Sequence, residues 1–250
     1  MLKKLYDKSR LAFAIVWIVL YCVLMSAADM LSDTVGLSKS VSLPMALVLS
    51  GVLLLFIIRN RLQSEYGLKK ASVSGGAMLY YIPIFVMLTA NLWHGVALNE
   101  DALEIALHVL TMLCVGFLEE MIFRGLLFRA MRKDSLTAAV IVSSITFGIG
   151  HIINLINGSG AELIPNILQV VYATAAGFMF VMIYLVSDSL ILCAAAHGIF
   201  NSLSVIAKEP GSLDAQIISC VALSFITGLY ALYLVFVFKR KGQDEDKKPE

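Results

Sequence analysis

The chain has 250 residues, 59% of them hydrophobic and only 15% charged, with a mean hydropathy of +0.86. Soluble domains usually carry about 25% charged residues, and a single water-soluble core cannot hold so much apolar surface, so a soluble enzyme, a disordered chain and a disulfide-stapled secreted domain are excluded. The formal net charge of +1 gives no footing for a nucleic-acid partner, and the composition reads as a polytopic membrane protein.

Apolar stretches follow one another along the chain, at about 11–30, 41–58, 71–93, 102–128, 135–156, 163–187, 189–207 and 215–238. Each is close to the roughly 18–20 residues that cross about 30 Å of hydrocarbon as a helix. Helices satisfy their backbone groups internally in lipid, so the sequence predicts an all-α fold of about eight transmembrane helices in one membrane domain, 1–250. Residues 1–10 are basic, but Leu11 to Ala28 is long enough to span and no small-residue cleavage site follows, which predicts a retained first helix, not a signal peptide. Cys22, Cys114, Cys193 and Cys220 all lie in apolar runs and read as small packing residues. Residues 239–250 mix both charge signs and read as a solvated, frayed tail.

Basic residues cluster in alternate connections. With the N-terminus cytoplasmic, only Lys39 and Lys208 of the 19 Lys and Arg fall on the far side. Both termini are therefore expected in the cytoplasm.

An ionisable side chain in hydrocarbon costs about 2.5–3.5 kcal/mol and marks function by default. The fourth stretch stays apolar from Ile105 to Leu118 and then meets Glu119, Glu120 and Arg124. Glu120 and Arg124 stand four apart with the acid first, the favourable order for a pair on one helix. Glu119 is rotated by about 100° and finds only Phe123 four residues on. Glu120 is thus expected to be neutralised as structural support, leaving Glu119 in a less polar environment. Phe147 and His151 share a face of the fifth helix, with Phe147 as packing, and His197 and Asn201 share a face of the seventh.

Brought together, these groups would make a hydrolytic site. Glu119 would activate a water held with His151, while His197 and Asn201 would donate to an oxyanion. Alternatively, Glu119, His151 and His197 would hold a divalent metal such as zinc in an open three-ligand site, and the spacing leaves both forms open. Straight helices put His151 about 24 Å from its cytoplasmic end, against about 12–20 Å for Glu119 and His197; tilt or a bend at Gly148 and Gly150 is expected to close that gap. Cys193, one turn before His197, is a weak candidate nucleophile. His108 and His94 are expected near the outer interface.

These residues carry a resemblance. Glu119-Glu120-Met121-Ile122-Phe123-Arg124 resembles the EExxxR motif of the CPBP family, the CAAX proteases and bacteriocin-processing enzymes also called Abi. Phe147 to His151 is similar to its FxxxH motif and His197 to Asn201 to its HxxxN motif, in the family's order. The resemblance implies a catalytic core at 102–207. It implies an intramembrane endopeptidase, with Glu119, His151, His197 and Asn201 forming the site, acting on a membrane-associated protein or peptide. It leaves glutamate–water and metal catalysis both open. Water is expected from the cytoplasmic side, with substrate arriving laterally between helices. The compact chain with short loops is expected to be a multi-pass protein of a bacterial cell membrane. Two other functions compete: a non-catalytic scaffold or bacteriocin-immunity protein that binds a partner such as a sensor kinase, and a proton-coupled transporter.

Overall fold

A computed structural model of the protein describes residues 2–74, 76, 81–157 and 161–245. Its helices are α1 (Leu2–Lys8), α2 (Arg10–Val35), α3 (Ser42–Arg59), α4 (Tyr81–Thr89, prolonged by a 3-10 turn Ala90–Leu92), α5 (Ala102–Arg132), α6 (Leu136–Leu155), α7 (Leu163–Ser187), α8 (Leu190–Ile206) and α9 (Leu213–Glu245). Among the described residues the extended pairing amounts to one isolated bridge, Val96 with Ala207.

Six of these helices (α2, α3, α5, α6, α7 and α9) are long and apolar enough to cross a membrane, and Ile82–Leu92 and Leu190–Ile206 are shorter apolar helices. Every predicted span thus falls on an apolar helix, but the third and seventh are short. Part of the third, at 75 and 77–80, lies outside the described residues. The seventh is bounded by a two-residue turn at Asp188-Ser189 and a 3-10 ending at Leu203–Ile206. The charged tail predicted from Lys239 departs from expectation: α9 continues through it to Glu245, and 246–250 lie outside the described residues.

Side chains open several helices where the first turn leaves N–H groups unpaired. Ser9 accepts from Ala12, Asp101 from Glu104 and Ser135 from Ala138. Val19, Val23, Leu55, Phe225 and Phe236 point outward, more than half exposed. In water such a surface would be a liability; against lipid tails it is matched. The protein is a polytopic all-α membrane protein.

Inside the bundle, small residues bring helix backbones together, as packing between helices in lipid favours. A Cβ on Gly116 of α5 would lie 2.5 Å from the backbone nitrogen of Gly198 on α8. A Cβ on Gly148 of α6 would lie 1.9 Å from Oγ1 of Thr174 on α7. The first crossing sets Glu119 and Glu120, one turn beyond Gly116, beside His197, the neighbour of Gly198.

The two ends of the bundle differ. At one end the 60–74 connection docks on the α7–α8 turn, where Leu190 N–H donates to the Gly67 carbonyl at 2.8 Å. Gly67 has φ +71°, and a Cβ there would meet the Tyr184 ring at 2.6 Å, so this position needs glycine for both conformation and room. At the other end the segments around Gly95 and Ala207 are joined by Ala97 to Ile206 and Lys208 to Gly95 backbone bonds.

Candidate active site

Helix α5 is regular from Ala102 to Glu120, then becomes π-helical from Met121 to Phe128 before closing as Arg129–Arg132. π-helical segments are rare and concentrate at functional sites. Here the segment begins immediately after the two glutamates, and all eight of its residues are buried.

Glu120 and Arg124 are both fully buried. Arg124 Nη1 lies 3.1 Å from Oε1 of Glu120, the pair expected from the spacing. The same oxygen lies 2.9 Å from Nδ1 of His197 on α8. The guanidinium of Arg124 stacks 4.1 Å over the Phe147 ring and donates from Nη2 to the Gly177 carbonyl at 3.4 Å. An aromatic face is a favourable site for a desolvated cation, so Phe147 and Phe180 (5.6 Å from the guanidinium carbon) help keep this charge inside the bundle.

Glu119 is 8% exposed and lives in different company. Oε1 accepts a hydrogen bond of 2.6 Å from the hydroxyl of Tyr21 on α2. Oε2 is buried without a hydrogen-bond partner and lies 3.5 Å from Nε2 of His197. The two nitrogens of His197 thus face the two glutamates, and its ring is stacked on Phe180 and edge-on to Phe147.

His151 opens the 3-10 turn that ends α6, with its carbonyl held by Asn166 Nδ2 at 2.8 Å. Its ring also meets Phe147 edge-on, at 5.4 Å. The helix changes from α to 3-10 geometry after Gly150. A cavity of about 90 Å3 is lined by Tyr21, Asp29, Glu119, Phe147 and His151. A second, of about 40 Å3, is lined by Phe147, His151, His197 and Asn201. The structure therefore brings Glu119, His151, His197 and Asn201 around two small cavities that share Phe147 and His151 as a wall.

A third cavity, of about 280 Å3, shares Tyr172, Phe200 and Leu223 with the second and reaches His94, Lys208 and Pro210. These spaces lead toward the 93–97 and 207–210 segments.

The remaining candidates make other contacts. Cys193 is buried with Sγ 3.4 Å from the Phe180 carbonyl, and all four cysteines are free. His108 lies by Ser204 and His94 by Ser219. The sequence leaves open a three-ligand metal set of Glu119, His151 and His197. Among the described residues no three His, Cys, Asp or Glu side chains are grouped to hold a metal ion. Tyr21 engages Glu119 Oε1 and Glu120 engages His197 Nδ1, and the chemistry below is derived from the chain's own acid–base groups.

Sequence reasoning missed Tyr21 and Phe180. A tyrosine hydroxyl within the first apolar span was the only available sign of the former, and nothing in its spacing points to a residue 98 positions away.

Residues 101–203 match the family model described as "Rce1-like: Type II CAAX prenyl endopeptidase Rce1-like". No curated protein matches the chain. The matched segment runs from the cap of α5 to the end of α8 and contains all three motifs and the two glycines of the α5–α8 crossing. That segment is similar to the Rce1-like type II CAAX prenyl endopeptidases, the CPBP or Abi family whose motifs the sequence resembles.

Proposed function

We propose that this protein hydrolyses a peptide bond in a membrane-associated protein or peptide, using a water activated by Glu119. The observation that carries the reading is the buried, unpartnered Oε2 of Glu119, 3.5 Å from His197 Nε2 and on the wall of a cavity shared with His151. An orphaned carboxylate oxygen in a polar cavity is costly to keep for packing alone, and it is what a general base needs.

Glu119 Oε2 takes a proton from the water held between it and His151 as the water oxygen attacks the peptide carbonyl. Glu120 accepts the Nδ1 proton of His197, which turns Nε2 toward the reaction. In this scheme His197 donates from both ring nitrogens, from Nδ1–H to Glu120 and from Nε2–H toward the reaction. Its Nε2–H and the Asn201 amide then donate to the oxyanion. On collapse the C–N bond breaks and Glu119 returns its proton to the leaving amine. Arg124 pairs with Glu120 and takes no part in the proton transfers.

The protein is proposed to be a bacterial cell-membrane protein with both termini cytoplasmic. The clustering of Lys and Arg at the termini, the 59–70 connection and the 124–133 stretch supports that orientation. The test is cleavage of candidate membrane peptides by purified wild type and Glu119→Gln, each with and without chelator. Wild-type cleavage that resists chelator and is lost in the Gln variant is expected. Cleavage that persists in the Gln variant refutes the base, and loss with chelator restored by zinc refutes the metal-free scheme.

A further inference from the structure

We propose that Tyr21 is a positioning residue for hydrolysis: by donating its hydroxyl proton to Oε1 of Glu119, it reserves Oε2 for the reacting water. This inference rests on the reading of Glu119 as the base. Tyr21 lies on α2, outside the segment 101–203 that matches the family, so it is a contribution of the rest of the chain to the site.

The argument is geometric. A carboxylate has two equivalent oxygens, and its terminal torsion is broad and roughly two-fold. Left alone in a cavity, the Glu119 group would rotate and present either oxygen. The 2.6 Å bond from Tyr21 has the length of a charge-assisted O–H···O contact, about 2.5–2.7 Å and roughly twice as strong as a neutral one. With Oε1 engaged, the plane of the group is set and Oε2 is the oxygen left toward His197 Nε2.

Tyr21 is well placed to hold that plane. It belongs to the buried face of α2 with Trp17, Met25 and Ala28, so its ring is clamped by packing and carries only two side-chain torsions. It also lines the cavity that contains Glu119 and His151. Through the reaction Tyr21 keeps its own proton. The water O–H bond breaks with its proton passing to Oε2, the new O–C bond forms, and the same proton leaves Oε2 for the amine as the C–N bond breaks. A donor fixed on Oε1 therefore steers both transfers through one atom without joining either.

The experiment uses the full-length purified protein, a cleaved membrane peptide, and the variants Tyr21→Phe, Glu119→Gln and Tyr66→Phe. Phe keeps the ring packing and removes only the hydroxyl. Tyr66→Phe deletes another buried tyrosine bond, Tyr66 to Tyr6 at 3.0 Å, away from Glu119. Expected for Tyr21→Phe is a fall in kcat of about 10–100-fold, with KM within about two-fold and unfolding temperature close to wild type; Tyr66→Phe keeps its kcat. Unchanged kcat in Tyr21→Phe overturns the inference. So does a raised KM together with a lowered unfolding temperature, because that is loss of packing. If Glu119→Gln is inactive and Tyr21→Phe fully active, only the role of Tyr21 falls; if Glu119→Gln is active, the reading beneath it falls as well.

Discussion

Two arginines of α5, five residues apart, anchor two ion clusters that behave as opposites. Arg124 is fully buried among Glu120, His197, Phe147 and Phe180. Arg129 sits at the basic end, where it donates to the Tyr184 hydroxyl at 2.8 Å and to Asp188 at 3.0 Å, with Lys69 as a second cation on the same carboxylate. Both tie α5 to a neighbouring element, the first to α7 through the Gly177 carbonyl and the second to the turn that closes α7. The difference lies in water. The Asp188 side chain is 38% exposed, so solvent already satisfies most of what its partners offer. Around Arg124 there is no such alternative, and each group depends on the others for its charge and orientation. A fastening tolerates loss of a member; a desolvated site does not.

The sharpest way to break that contrast is Arg124→Ala. Removing one partner of a buried pair strands the other charge and costs about 3–5 kcal/mol, so the unfolding temperature in detergent should collapse and little folded protein should be recovered. A folded, stable Arg124→Ala protein would erase the distinction. Next comes Gly116→Ala, which puts a methyl 2.5 Å from the Gly198 backbone and forces α5 from α8 at about 1–3 kcal/mol. It should also reduce cleavage out of proportion to the stability lost, because His197 moves with Gly198. Glu120→Gln keeps the shape but loses the charge facing Arg124 and His197; about 1–3 kcal/mol and most of the activity should go together. Clean loss of activity in a fully stable protein would contradict the supporting role of Glu120.

The smallest effect belongs to the exposed cluster. Burial alone would raise the Asp188 carboxyl, but Lys69 and Arg129 outweigh it and hold it below its ordinary value of 3.8. A carboxyl depressed in the folded state stabilises above its unfolded value, and that contribution is lost as pH falls through the folded one. Asp188→Asn should therefore cost about 0–1 kcal/mol near neutrality. The gap from wild type should close below pH 4, as followed by unfolding temperature against pH.

How much of this was legible in the sequence depends on whether a contact is local. The Glu120–Arg124 pair follows from a spacing of four on one helix, and the structure bears it out. The grouping of Glu119 with both histidines and Asn201 was reached through the three motifs, which supply residue types but no distances. The bond from Tyr21 to Glu119 and that from His197 to Glu120 join residues 98 and 77 positions apart, and no periodicity encodes such a meeting. The π-helical stretch was invisible for another reason: Met121 to Phe128 has the composition of any buried helix, and its pitch is decided by what packs against it. The polytopic all-α class was legible because apolar length is a property of the chain itself, although six of the eight expected spans are long enough to cross.

The central claim is that Glu119 activates water and is never itself acylated. A single turnover in 18O-labelled water, with mass analysis of both the new product terminus and the enzyme peptide carrying Glu119, tests this directly. One labelled oxygen in the product carboxylate and none in the Glu119 side chain is the predicted result. Label appearing in Glu119 would mean the carboxylate had attacked the peptide itself, and would contradict the account.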